Sequence, residues 1–319
     1  MNETTRAATA GRRAAPVRAR LSVRLRRDWF LYALLALPIG YFLLFHYGPM
    51  YGVVVAFQDY NIFKGILEQD TWVGLEHFRT VFGMSYFRQV VRNTFVLNGL
   101  ELVLGFPAPI ILALMINELT SRRFKRAAQT TLYLPHFISW TIVGGLAVQM
   151  LATNTGLVNT ALAAIGLGPI PFLTDKWAWL FSYTGIAIWK SAGWGTILYL
   201  AAMSNINVDL YDAAAIDGAG RWRQTWHVTL PEITPTIVIL LILTVGRLIQ
   251  IGLEQPYMLK NVLVAEFADV ISIFVYNIGL RTAQFEIATA VGLFQSVVGM
   301  ILLVAANTVI RRMRGRGIW

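Results

Sequence analysis

Two membrane-depth cations, four histidines and one acidic, glycine-broken segment are where this chain could do chemistry. Lys190 and Arg247 fall inside long apolar runs, where an uncompensated cation at a helix centre costs about 2.5–3.5 kcal/mol on insertion scales. Each must meet protein, water or an anion, and internal pairing with Glu101 or Glu254 or contact with an acidic ligand would serve. If its run is one helix, Arg247 stands two turns before Glu254 on roughly the same face, about 10 Å away. His46, His77, His136 and His227 are scattered, and none stands in the His-Glu-x-x-His pattern that sets two imidazoles around zinc, so no metal site is expected. No Gly-x-Ser-x-Gly elbow offers a hydrolase nucleophile. No Gly-x-x-x-x-Gly-Lys-Ser/Thr loop cradles a nucleotide, so nothing indicates that the chain binds ATP itself. Without cysteines there are no disulfides, thiolate sites or cysteine nucleophiles.

The segment from Asp209 to Pro231 lies between two apolar runs. Asn207 or Asp209 can cap a short helix over residues 210–216, because a side-chain oxygen satisfies free N–H groups in its first turn. Gly218 and Gly220 break that helix, residues 221–227 supply a second short polar-aromatic turn or helix, and Leu230-Pro231 starts the next run. A compact L-shaped projection results. Its alanines would let one helix sit deep in a partner's groove, whereas an interfacial helix on lipid headgroups is the competing reading.

These elements must be positioned by a membrane protein. Of 319 residues, 56% are hydrophobic and 14% charged, and the mean hydropathy is +0.56, outside the range of a soluble domain. Six runs reach the length needed to cross a bilayer, at residues 29–55, 91–116, 130–151, 180–203, 233–253 and 287–310. The basic clusters before the first run, after the second (Arg122, Arg123, Lys125, Arg126), after the fourth (Arg221, Arg223) and after the sixth (Arg311, Arg312, Arg314, Arg316) all fall on one side if the chain crosses six times. The positive-inside rule names that side the cytoplasm and puts both termini there. The net charge of +10 is thereby assigned to topology and headgroups, not nucleic acid. Residues 1–28 form a basic, cytoplasmic N-terminal tail, and 29–319 one membrane domain. Between spans, Trp72, Leu75, Phe78, Val81 and Phe82 suggest an amphipathic helix at the interface, with packing as its expected role. In the last run Ala288, Gly292 and Ser296 form a small-residue stripe suited to close helix packing.

The spacing Asp212-Ala213-Ala214, Gly218 and Leu230-Pro231 closely resembles the cytoplasmic coupling loop of ABC importer permeases. Within them the chain is similar to the six-span carbohydrate importers of polysaccharide and complex oligosaccharide uptake, including alginate-type systems. The likeness rests on Phe45-His46-Tyr47-Gly48-Pro49-Met50-Tyr51-Gly52, Ala56-Phe57-Gln58-Asp59-Tyr60-Asn61, Tyr133-Leu134-Pro135-His136-Phe137-Ile138-Ser139-Trp140, Ile188-Trp189-Lys190 and Ala213-Ala214-Ala215-Ile216-Asp217-Gly218-Ala219. It implies an all-α integral membrane protein with the type I ABC importer permease fold and a coupling loop over residues 204–232. It further implies a second related permease as heterodimer partner, a dimer of ATP-binding subunits that hold ATP and Mg, and an extracytoplasmic solute-binding protein. The chain itself would be a multi-pass subunit of the bacterial cytoplasmic membrane, with no cofactor and no enzymatic activity. Asp212 departs from the usual Glu, so a salt bridge of that Glu does not carry over.

Sugar recognition uses aromatic faces and polar groups for hydroxyls. Trp189, Lys190, Trp194 and Tyr199 in the fourth run, with Arg247, Gln250, Glu254 and Tyr257 at the end of the fifth, are the candidate pathway residues, and the two cations suggest an acidic oligosaccharide. A permease for another solute class remains the alternative, as does an ion-coupled secondary transporter, which would need coupling carboxylates in broken helices. A membrane glycosyltransferase would need an acidic nucleotide-sugar site.

Overall fold

The computed structural model of the chain describes residues 27–66 and 71–314, so most of the 1–28 tail lies outside the described residues. Among the described residues the regular structure is helical, apart from an antiparallel pairing of Gln58 with Trp72. In chain order the helices are α1 (Trp29–Phe57), α2 (Glu76–Gly83), α3 (Ser85–Asn117), α4 (Arg122–Phe137), α5 (Trp140–Leu151), α6 (Leu157–Ala164) and α7 (Lys176–Ser204). They continue with α8 (Val208–Ile216), α9 (Arg221–Gly246), α10 (Glu254–Leu259), α11 (Ala265–Ala268), α12 (Ile271–Arg281) and α13 (Phe285–Arg314). Two compact units divide after Gly52. The first carries the apolar helical stretch Trp29–Phe42, which buries no side chain within the protein.

In the second unit α7 is the central element. It is 29 residues long, about 43 Å at 1.5 Å per residue, and starts at Asp175, whose Oδ1 accepts from the Trp177 and Ala178 amides at 3.0 and 2.9 Å. Trp179, Tyr183, Ala187, Lys190, Gly193, Thr196 and Tyr199 are all buried along it. This explains a discrepancy in the span count. Among the described residues four helices are long and apolar enough to cross a membrane, α1, α3, α9 and α13, and the pair α4–α5 brings the number to five. The sequence-based six includes α7, which faces protein more than lipid and so carries Thr, Tyr, Gly and Lys where a lipid-facing helix carries Leu.

Two expected spans are not straight helices. The third bends by 99° between α4 and α5, with Ile138 and Ser139 extended and Ser139 Oγ accepting from the Ile142 amide at 3.4 Å. The fifth stops at Gly246, and residues 247–253 leave the helix. Arg247 therefore sits at its C-cap, not inside a span, and the two-turn helical spacing to Glu254 does not exist. Close packing contributes to that end: a Cβ at Gly246 would lie 2.9 Å from Leu303, and one at Gly299 would lie 3.0 Å from the Gly246 carbonyl. This contact, more than the expected stripe, brings α9 against α13. Of the stripe, Ala288 meets Gly279, while Gly292 faces open space within the chain.

Three of the helix prolines follow π turns. Leu43–Tyr47, Glu101–Gly105 and Thr225–Thr229 each end two residues before a proline (Pro49, Pro107, Pro231), and the intervening residue bonds five back: Gly48 to Leu43, Phe106 to Glu101, Leu230 to Thr225. The wider turn carries the carbonyls away from a ring that would otherwise clash with them.

The segment between α9 and α13 is tied to the start of α3. Asn93 Nδ2 donates to the Glu266 and Asp269 carbonyls at 2.8 and 2.9 Å. Tyr86 donates to Asp269 Oδ2 at 2.8 Å, and Lys260 pairs with Asp269 Oδ1 at 2.8 Å. The Ile271 amide donates to Thr94 Oγ1 at 3.1 Å. The expected amphipathic helix forms as α2, without Trp72 and Leu75, which precede it, and its apolar face packs on protein: Phe78 meets Phe57, and Phe82 meets Phe87 and Phe294. Thr94→Val should strand the buried Ile271 N–H and cost about 1–3 kcal/mol, read as a lower thermal midpoint of the purified protein in detergent, while Thr94→Ser should retain most of the stability.

Candidate functional site

The polar segment folds as two capped helices meeting at a glycine. Asn207 Oδ1 accepts from the Asp209 amide at 3.1 Å and opens α8. At its other end Gly218 has φ +71°, the left-handed conformation that costs an L side chain but not glycine. The Gly218 amide reaches the Ala215 carbonyl at 3.0 Å and the Ala219 amide the Ala214 carbonyl at 2.8 Å, the paired bonds of a Schellman cap. Hence the spacing from Asp212-Ala213-Ala214 to glycine: it places Gly218 immediately past the C-cap, where only a residue free of a Cβ closes the helix without strain.

The start of α9 is bound back to this turn. Arg223 Nη2 donates to the Gly218 carbonyl, Gln224 Nε2 donates to the Ala219 carbonyl at 3.0 Å, and the Tyr211 and Thr229 hydroxyls are 2.9 Å apart. Leu230-Pro231 begins the α-helical run Leu230–Gly246, as expected, and a π turn over Thr225–Thr229 joins that run to Arg221–Gln224. Both residues lie within the continuous α9, and the π turn ahead of Pro231 is what allows that continuity. No side chain of α8 is buried; Val208, Ile216 and Trp222 of α9 are among the exposed apolar groups. Asp212, Ala213 and Gly218 are likewise exposed.

A cavity of about 520 Å³ opens where α9 ends, lined by α3, α7, α9 and the segment that follows. Its polar lining comprises Asn98, Glu101, Ser191, Thr244, Arg247 and Gln250, against Leu102, Phe106, Leu240 and Leu243. The non-helical backbone here is satisfied from neighbouring helices, as a bilayer requires. Asn98 Nδ2 donates to the Leu248 carbonyl at 2.8 Å and the Gln250 carbonyl at 3.2 Å, and Gln295 Nε2 donates to the Ile249 carbonyl at 3.0 Å. Among the described residues no ion pair joins Arg247 to Glu101 or to Glu254. A carboxylate and a guanidinium thus border one polar space, suited to a polyhydroxylated ligand that bears an anion.

Of the eight candidate pathway residues, the structure brings Arg247 and Gln250 to this cavity. Tyr199 is 3% exposed and packs in a core with Ala113, Met203 and Ile233. Trp189 is exposed, and Trp194 stacks on His136 at 4.5 Å. Glu254 starts α10, and Tyr257 lies edge-on to Tyr276 at 5.6 Å. Lys190 meets neither carboxylate: its Nζ donates to the His136 carbonyl at 2.8 Å and reaches the Pro135 carbonyl at 3.5 Å. Sequence reasoning missed Asn98, Ser191 and Thr244 as lining residues. Asn98 was visible as an amide in an apolar run, a residue that needs a partner at membrane depth.

Residues 105–315 match the family model of the binding-protein-dependent transport system inner membrane component. The polygalacturonan/rhamnogalacturonan transport system permease protein YteP of Bacillus subtilis (strain 168) is 43% identical over 95% of this chain and 94% of its own length. Protein LplB of the same organism is 42% identical over 92% of each chain. Among solved structures, a chain of a bacterial ABC transporter involved in import of the acidic polysaccharide alginate superposes with a TM-score of 0.83 at 43% identity, over 92% of this chain and 99% of that one. A chain of a bacterial alginate ABC transporter in complex with alginate pentasaccharide-bound periplasmic protein gives 0.84 at 43% identity, over 94% and 100%.

Gly218→Leu should strain the left-handed turn by about 1–2 kcal/mol and fray the end of α8, seen as faster amide hydrogen exchange over residues 213–219 with membrane insertion unchanged. Gly218→Asn, whose side chain tolerates that conformation, should show a smaller effect.

Proposed function

The chain belongs to the binding-protein-dependent transport system inner membrane component family, and we propose that it is one of two permease subunits of an ATP-driven importer that carries an acidic oligosaccharide across the bacterial cytoplasmic membrane. The observation that carries this reading is α8: a short helix capped at both ends, exposed along its length, and held between the end of α7 and the start of α9. A helix so placed transmits displacement because its joints are hydrogen-bonded. The partner that would grip it is a dimer of ATP-binding subunits, which supply the ATP and Mg sites. Val208 and Ile216 offer it apolar contact, and Ala213 lets it approach the helix closely.

A second permease would complete the pathway, of which this chain supplies the cavity beside α9. Cargo would arrive from an extracytoplasmic solute-binding protein, a reading supported by the alginate transporter relative and its periplasmic protein. Arg247 would take a cargo carboxylate through paired N–H groups, a geometry lysine does not offer, while Glu101, Asn98 and Gln250 would meet hydroxyls. The basic residues Arg122, Arg123, Lys125 and Arg126 of α4, Arg221 and Arg223 of α9, and Arg311 and Arg312 of α13 support, by the positive-inside rule, a cytoplasmic reading for α8 and both termini.

Three measurements test this. Co-expression with an ATP-binding subunit should yield a co-purifying complex whose hydrolysis is stimulated by loaded binding protein, and Gly218→Leu should uncouple hydrolysis from uptake; a complex with normal uptake would remove α8 from the coupling role. In proteoliposomes Arg247→Gln should lose about tenfold or more in uptake of an acidic oligosaccharide relative to a neutral one, the loss expected for one charged hydrogen bond, with Arg247→Lys intermediate. An unchanged charge preference in both variants would make Arg247 structural. Finally, a cysteine placed at Ala219 of this cysteine-free chain should resist an impermeant maleimide in intact cells and react after permeabilisation.

A further inference from the structure

Lys190 is 7% exposed, lies at mid-length in α7, and has no carboxylate partner among the described residues. Its ammonium is hydrogen-bonded to backbone. The Nζ donates to the His136 carbonyl at 2.8 Å, reaches that of Pro135 at 3.5 Å, and sits 5.3 Å from the centroid of the Trp140 ring. Those carbonyls belong to the last turn of α4, where the helix ends against the 99° break; the Pro135 carbonyl accepts from the Ile138 amide at 3.2 Å, and Lys190 supplies the charged donor at this end. A cation there also meets the negative end of the helix dipole. Asparagine could donate to a carbonyl, but lysine combines reach with three donors and a full charge.

Two further contacts fall on the same stripe of α7. Gly193, three residues on, lies so close to the Leu132 carbonyl that a Cβ would overlap it. Trp194, four residues on, stacks on the His136 ring at 4.5 Å with 4° between planes and meets Phe137 edge-on at 5.6 Å. Positions three and four apart share a helix face, so α7 holds α4 through a charged hydrogen bond, a backbone approach and a ring stack. Beyond the break the attachment changes. Ile138 and Ser139 are extended, and α5 packs on the segment between α9 and α13, with a Cβ at Gly144 falling 2.7 Å from Met258 Cβ.

We propose that Lys190 is a positioning residue that locks α4 to α7 as one rigid lever, so that displacement of α8 at the end of α7 reaches the break at Ile138–Ser139 and becomes movement of α5 there. This rests on the import reading given above. The lever has α8 at one end and the break at the other, and Ile138 and Ser139 are the two residues free to absorb a change of backbone angle.

The test uses the assembled transporter in nanodiscs and proteoliposomes, with spin labels on cysteine pairs introduced into the cysteine-free chain. Ala127→Cys with Ala201→Cys reports α4 against α7, and Gln149→Cys with Ala201→Cys reports α5 against α7. On ATP trapping the first distance should stay fixed and the second should shift. Lys190→Met should broaden the first distribution and raise the ATP hydrolysed per cargo imported about tenfold, the worth of one charged hydrogen bond. Lys190→Arg, which keeps a charged donor, should restore most of both. Trp194→Leu should move both readouts the same way by less, and it decides the matter if Lys190→Met does not assemble. The proposal is overturned if the α4–α7 distance shifts with nucleotide as much as the α5–α7 distance, or if the assembled variants hydrolyse ATP per cargo as the unsubstituted protein does. Absence of oligosaccharide uptake by the unsubstituted complex would instead overturn the import reading, and the nucleotide-free α4–α7 distribution of Lys190→Met would still judge the joint.

Discussion

A backbone amide or carbonyl that leaves a helix at membrane depth has no water to turn to, and this requirement organises the molecule. At several helix ends and breaks a side chain from a neighbouring element stands at the freed group. Asn98 and Gln295 serve the segment after α9, Lys190 serves the end of α4, Trp179 donates to the Leu259 carbonyl at 2.9 Å, and Thr94 receives the Ile271 amide. The polar residues that lower the hydropathy of α3 and α7 are therefore not lapses in a hydrophobic sequence. They are what permits irregular backbone, and irregular backbone is what borders the cavity beside Arg247.

This divides what was legible in the sequence from what was not. The α8 loop was readable because its determinants are local: an Asn cap, a run of alanines, and a glycine at the one position that needs a positive φ. The apolar runs over α1, α3 and α13 were readable from length and composition alone. The ends of the third and fifth spans were hidden, since nothing between residues 246 and 254 announces that the helix stops. Gly246 packs beneath Leu303, and Asn98 and Gln295 hold the departing chain, all of them distant in sequence. The cations divide the same way. The carbonyls that hold Lys190 come from the end of α4 and were not legible, whereas Arg247, a candidate pathway residue in the sequence, borders the cavity.

The α8 loop and the cavity beside Arg247 share their supports. α7 buries Tyr199 in the core near α9, lines the cavity through Ser191, grips α4 through Lys190, and ends at the cap of α8. α9 begins bound to the α8 turn through Arg223 and Gln224 and finishes at Arg247. Helices that lead from the exposed loop to the cavity offer a continuous protein path between them. Such a path is stiff where it is hydrogen-bonded and packed, as along α7, and yields at the extended residues between α4 and α5.

The π turns have a consequence for how this chain lines up with its relatives. Each holds one residue more than an α-helical turn, and that residue rotates everything after it by about 100° relative to a regular helix. A stripe followed down α3 at the ordinary period changes face at Phe106, and one followed down α9 does so at Leu230. The proline and the extra residue are thus a matched pair. A homologous helix that lost the proline could shed the residue as well and keep its outward and inward faces in phase, so a one-residue gap beside Pro107 or Pro231 in an alignment would mark a conserved surface, not a disrupted one.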